Sequence, residues 1–200
     1  MAGDQEPRSA IVHRCHVTMT QGILELFEGF FGNFEDALFE YAYRSDSELA
    51  QQQCFNLMRE LRHQRDHLTQ VLAGVLERRR LDWYQSDLPS EDGLQVRARS
   101  LAATANAHFS PLLEQIADRM TALGAVDTSL HSMPLGPTGV AHAFLQTLRA
   151  RGFDPSSDEL LGRLFRRFVL DRLGPVYGDL NVRLMHFVTL EDDSILKSSA

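Results

Sequence analysis

From Ser45 to about Leu81 the chain spaces its apolar residues as an amphipathic helix does, and such a helix is too long to bury its own apolar face. Cys54, Leu57, Met58, Leu61, Leu68, Val71, Leu72, Val75 and Leu76 fall on one arc. At 1.5 Å per residue the helix is about 54 Å long and needs antiparallel helical neighbours. Its start reads Ser45-Asp46-Ser47-Glu48, a capping box with Ser45 at the cap and Glu48 three residues on. Phe55, Met58 and Leu61 are expected to be almost fully buried. Where the next apolar pair should fall, the chain places Gln64 and Arg65. A polar step in a helical seam sets register or partner choice when its atoms find mates on another helix. Glu114, Asp118, Asp158 and Asp171 are the carboxylates expected to be in reach of Arg65.

The rest of the chain reads as helix too, so the expected fold is all-α. It is an antiparallel bundle around that long central helix, with a carboxy-terminal helical group. Residues 1–17 read as a flexible segment, 18–188 as the helical domain and 189–200 as a polar tail. Ile23, Leu24, Phe27, Phe30, Phe31 and Phe34 keep a helical period past Gly22, Gly29 and Gly32, each a cost of up to about 1 kcal/mol relative to Ala. A break is expected near Asn33. Ser86 to Gly93 reads as a loop, and a helix to His108 follows it. Ser110-Pro111 opens another helix, which Gly124 ends. Asp127 to Pro134 reads as a linker. Gly136-Pro137 and Gly174-Pro175 each place proline where a helix begins, and Ser156-Ser157-Asp158-Glu159 is a second capping box. No stretch alternates as a strand does.

Composition narrows the function. The net charge of −7 argues against general nucleic-acid binding, which needs a basic surplus. Only Lys197 among the 20 basic residues is lysine, which excludes a Walker-type phosphate loop and an internal lysine Schiff base. Cys15 and Cys54 have no metal-ligand or redox spacing and read as a reduced, cytoplasmic pair. The first ten residues lack a signal peptide's apolar run. The longest apolar stretch, Ile23 to Phe39, contains Glu25, Glu28, Glu35 and Asp36, so no membrane insertion is expected.

Several constellations invite chemistry. Arg59, Arg62, Gln64 and Arg65 form the leading contact surface, for a protein partner or a second copy, or for an anion or nucleotide. A small-molecule ligand stays unassigned, and no cofactor is expected. Arg62 is spaced to pair with Asp66 at i,i+4. His63 and His67 share a helix face and could hold a metal between them or stand as solvated imidazoles. Gln64 follows His63 where a metalloprotease needs Glu. His13, Cys15 and His16 are ligand-like in type but lie in the segment expected to be flexible. Arg78-Arg79-Arg80 with Trp83 and Tyr84 could bind single-stranded nucleic acid, or complement the carbonyl end of the long helix. The phenylalanines from Phe27 to Phe39 read as core, or as a docking surface wherever they are exposed.

The run Phe55-x-x-Met58-Arg59-Glu60-Leu61-Arg62-x-Gln64-Arg65, then Pro134-Leu135-Gly136-Pro137 with Phe144, then Leu164-Phe165 and Tyr177 with Leu180-Asn181 resembles a bacterial family catalogued as domain of unknown function 1631. The match runs in order from about Phe39 to Phe187. The resemblance implies the helical amino-terminal region of a longer regulatory or scaffolding protein, and it carries no catalytic residues to transfer. Its members are typically much longer proteobacterial proteins, whereas this sequence stops at Ala200. Some relatives are labelled thymidine phosphorylase. Phosphorolysis needs an anion site, commonly a lysine beside a Gly-rich turn, and this chain has no such loop and no internal lysine. The reading that follows is a non-catalytic interaction or regulatory module.

Overall fold

The computed structural model describes residues 8–84, 93–125, 133–153 and 157–198, with side chains to residue 187. The described residues form six α-helices: α1 (Arg8–Tyr43), α2 (Glu48–Arg78), α3 (Gly93–Ala122), α4 (Pro137–Ala150), α5 (Asp158–Phe168) and α6 (Gly174–Ser198). A 3-10 turn, Arg79–Tyr84, closes α2, and a shorter one, Leu170–Arg172, joins α5 to α6. Among the described residues there is no strand. α1 packs on α2, α5 and α6, while α3 packs on α4, α5 and α6, and α2 also meets α4. The all-α bundle is as the apolar spacing predicts.

Its centre is aromatic. Phe27 and Phe30 of α1 are buried against Phe144 of α4 and Phe165 of α5, and the buried Phe31 and Phe34 pack on Phe30 in turn. The rings of Phe144 and Phe165 stack with centroids 3.8 Å apart and planes 4° from parallel. Edge-to-face and offset pairs of this kind add about 0.5–1.5 kcal/mol each to the burial of the rings.

The helices are longer than local signals predict. α1 begins at Arg8, and Ile11, Val12, Cys15 and His16 are buried; residues 8–17 therefore belong to the bundle and not to a flexible segment. Nor does α1 break at Asn33. The Asn33 side chain donates to the Gly29 carbonyl one turn back at 2.7 Å, so its local hydrogen bond stays inside the helix instead of ending it. α3 likewise runs unbroken through Pro111. Proline takes the amide proton from the Ala107 carbonyl, and the Ser110 hydroxyl donates to that carbonyl at 3.3 Å. Ser110-Pro111 is thus a repaired interior position, not a helix start. α6 extends to Ser198, so the backbone of 189–198 is helical and not a loose tail.

Caps and stops follow the sequence more closely. Ser47, two residues beyond the expected Ser45, caps α2 and accepts from the Ala50 amide at 3.3 Å. Gly124, at φ +90, ends α3 with its amide donating to Thr121 and that of Ala125 to Met120. That is the left-handed stop that glycine permits. Gly136-Pro137 starts α4 and Gly174-Pro175 starts α6, both as expected. Ser157 precedes α5 without a side-chain cap bond. The expected Ser86–Gly93 loop and Asp127–Pro134 linker, and Ser156, lie almost wholly outside the described residues.

The segments that carry the family resemblance meet in this core. The buried Tyr177 hydroxyl donates to the Leu135 carbonyl at 3.0 Å, tying α6 to the turn before α4. A Cβ at Gly139 would sit 2.2 Å from the Pro134 oxygen, so that turn folds back closely on α4. Phe144 and Phe165 are the stacked pair, and Leu180 is buried. These positions hold helices together.

Candidate functional site

The basic run at the end of α2 is a buried joint. Trp83 has no exposed surface, and its indole N–H donates to Nδ1 of His16 at 3.1 Å. An indole nitrogen can only donate, so Nδ1 is an acceptor and the imidazole proton sits on Nε2, which reaches the Leu76 carbonyl at 3.0 Å. Burial lowers the His16 pKa to about 4, against a partial opposing pull from Glu77. The ring is neutral at pH 7. Arg79, 17% exposed, approaches Nδ1 of His142 at 2.7 Å and Asp82 at 3.8 Å, and its burial lowers its pKa while that of Asp82 raises the carboxyl's. The joint therefore ties α1, α2 and α4 through neutral and charged polar atoms.

Other ligand-like residues sit as follows. Cys15 is buried, and burial pushes its thiol up to about 11; it remains a protonated thiol. His63 and His67 are exposed on α2. Among the described residues no three His, Cys, Asp or Glu side chains are grouped to hold a metal ion.

The predicted contact residues of α2 separate into different roles. Arg62 pairs with Glu35 of α1 through two hydrogen bonds, 2.9 and 2.5 Å, instead of with Asp66. This fork holds the Glu35 carboxyl below the usual carboxylate range. Gln64 is half-buried; it donates to Glu60 at 3.3 Å and accepts from Nε of Arg151 at 3.1 Å. The polar step therefore finds a partner beyond its own helix, just after α4. Arg65 is exposed and lies over the Phe31 ring, 5.6 Å from its centroid. None of the four expected carboxylates pairs with it. Asp158, one of them, pairs with Arg97 at 2.5 Å. Arg59 is exposed and has no ion pair among the described residues.

The expected seam also changes on one side. Leu61 is buried and Met58 half-buried, but Phe55 is 40% exposed. Phe55 follows Cys54 by one residue, about 100° around the helix, and so falls off the buried arc. Phe39 and Tyr43 of α1 are also exposed, at 59% and 84%. The Glu35–Arg62 fork joins α1 to α2 through two long side chains, between the His16–Leu76 contact at one end of the pair and the turn from Tyr43 to Glu48 at the other. Phe39 and Tyr43 are four apart and share a face with Glu35. The exposed surface of α1 and α2 thus carries three aromatics, an arginine without an ion pair among the described residues and the Glu35–Arg62 pair.

A groove lies on the other side of α1, against α5. It encloses about 860 Å³ between the last turns of α1 and the exposed face of α5. Arg44, Arg163, Arg166 and Arg167 line it, with Tyr41, Leu160 and Leu164 as its apolar wall. Neither this groove nor the smaller one across α5 is lined by Arg59, Arg62 or Arg65. Sequence reading missed these residues, although Arg163, Arg166 and Arg167 occur at i, i+3 and i+4 opposite the buried Leu161, Leu164 and Phe165.

A family model described as "Protein of unknown function (DUF1631) N-terminal domain" matches residues 7–94 and 91–186. No curated protein and no solved structure matches the chain significantly.

Proposed function

The chain belongs to the family of DUF1631 N-terminal domains, and from that premise we propose that it is a non-catalytic interaction module of a bacterial regulatory or scaffolding protein, acting in the cytoplasm. The observation that carries this reading is the outer α1–α2 face. Phe39, Tyr43 and Phe55 are large side chains left in water on one pair of helices. Aromatics and arginine are enriched at the centres of protein interfaces and dominate binding there, because a flat ring buries much area at little rotamer cost. Arg59 follows Phe55 by one turn of α2, exposed and without an ion pair among the described residues. The partner that complements this face presents apolar side chains flanked by at least one acid. No described helix is long and apolar enough to cross a membrane.

Site-specific photo-crosslinking tests it. With a benzophenone side chain at position 39, 43 or 55, a discrete protein adduct is expected from living cells, and Arg59→Glu should diminish it. The same probe at Val96 or Val182, which are exposed elsewhere at 55% and 51%, should give none. Adducts of equal yield from both sets, or from neither, would overturn the proposal.

A further inference from the structure

We propose that the groove between α1 and α5 binds a small organic phosphomonoester, its phosphate held by Arg166 and Arg167 and its body resting on Leu160 and Leu164. This is a second site, separate from the aromatic face of α1–α2. Charge sets the class of ligand. Four arginines line the groove against two carboxylates, Glu40 and Asp171, an excess of two positive charges. Arg44 is compensated by Glu40 at 2.6 Å. Arg163 lies over the Tyr41 ring at 5.0 Å and reaches Glu159 at 3.9 Å. Arg166 and Arg167, exposed on α5, have no carboxylate within ion-pair distance among the described residues; Arg167 lies over the Phe168 ring at 5.1 Å, and Asp171 lines the same groove without an ion pair among the described residues. In a chain of net charge −7, a concavity lined by four arginines against two carboxylates stands out.

A phosphomonoester carries about −1.5 to −2 charges at pH 7 and presents three acceptor oxygens, the charge and the acceptors that guanidinium forks bind. Size and lining supply the second half of the argument. A volume of about 860 Å³ lies in the range of small-molecule pockets, and Ala37, Leu160 and Leu164 give it an apolar wall that a bare phosphate would leave unused. The smaller groove across α5, about 380 Å³, shares Arg163 and Arg166. Its own Arg97 is already neutralised by Asp158, so the charge favours the larger groove.

Calorimetric titration at pH 8 with three probes separates the elements of the proposal. Phenyl phosphate offers a dianion on an apolar ring, phenyl sulfate a monoanion on the same ring, and inorganic phosphate a dianion with no ring. Phenyl phosphate is expected to bind most tightly, and each of the other two about tenfold or more weakly. The Arg166→Gln/Arg167→Gln double variant should weaken phenyl phosphate about tenfold or more, while Arg59→Gln leaves it unchanged. Titration at pH 5, below the second phosphate pKa of about 6, should weaken it as well. Phenyl sulfate or inorganic phosphate binding as tightly, no phenyl phosphate binding at millimolar concentration, or binding indifferent to the double variant would each overturn the proposal. A phosphotyrosine peptide displacing phenyl phosphate far below the concentration at which adenosine monophosphate does so would overturn the small-molecule assignment.

Discussion

The C-terminal end of α2 runs into a turn that buries Trp83 and Arg79, whereas its N-terminal half leaves Phe55 and Arg59 in water. The residue types are alike and their uses are opposite. At the C-terminal end polar atoms that leave water meet others, indole to imidazole, imidazole to carbonyl and guanidinium to His142, although Nε of Arg79 is buried without a hydrogen-bond partner among the described residues. Buried polar groups left without such partners cost about 1–3 kcal/mol each, so that end is tied into the fold. At the other end ring and guanidinium stay hydrated, contribute little to folding, and remain available to something outside the chain. The contrast teaches that aromatic or basic character alone does not mark a site. What marks it is whether the fold has already used the group.

The largest effect that can break this comparison is at Trp83. Trp83→Ala removes a fully buried ring and opens Nδ1 of His16, and is expected to cost about 3–5 kcal/mol in urea denaturation. Phe55→Ala, the same kind of deletion at the exposed end, should change stability by less than about 0.5 kcal/mol. Comparable losses at the two positions would erase the distinction.

The His16 joint sharpens it through pH. The folded-state pKa is about 4 against 6.5 for the free side chain. Above pH 6.5 the ring is neutral in both states and pH has no leverage through it. Between 6.5 and 4 the unfolded chain takes up a proton that the folded chain refuses. Stability therefore falls as pH falls across that window, by on the order of 3 kcal/mol in full. His16→Gln should flatten that part of the profile in denaturation series run between pH 7.5 and 4.5. A slope unchanged by the substitution would place the pH dependence elsewhere.

The apolar spacing of the sequence foretold the helical class, the long α2 and its buried arc, and the two Gly-Pro starts. Those signals are local and strong. The sequence reading erred where a local signal was answered by a neighbour: Asn33 bonding back to Gly29, Ser110 mending the gap at Pro111, and residues 11–16 buried by tertiary contact, with His16 held by Leu76 and Trp83. The polar step at Gln64 was legible because it interrupts a periodic pattern. Its partner, Arg151, was not, since 87 positions separate the two and only folding brings them together. The same holds for the groove. Arg44 and the α5 arginines lie far apart in sequence, and nothing in either stretch alone points to the other.

The most direct test of the account is a comparison of three arginines in one protein. Arg79→Gln removes a buried guanidinium from its partners and is expected to cost about 1–3 kcal/mol. Arg59→Gln and Arg166→Gln remove groups that the fold does not use, and each should stay within about 0.5 kcal/mol of the parent. Equilibrium urea denaturation of the three variants at pH 7.5 decides it: the account predicts a loss at Arg79 alone. A loss at Arg59 or Arg166 equal to that at Arg79 would show that these arginines too belong to the fold, and would contradict the claim that they face a partner or a ligand.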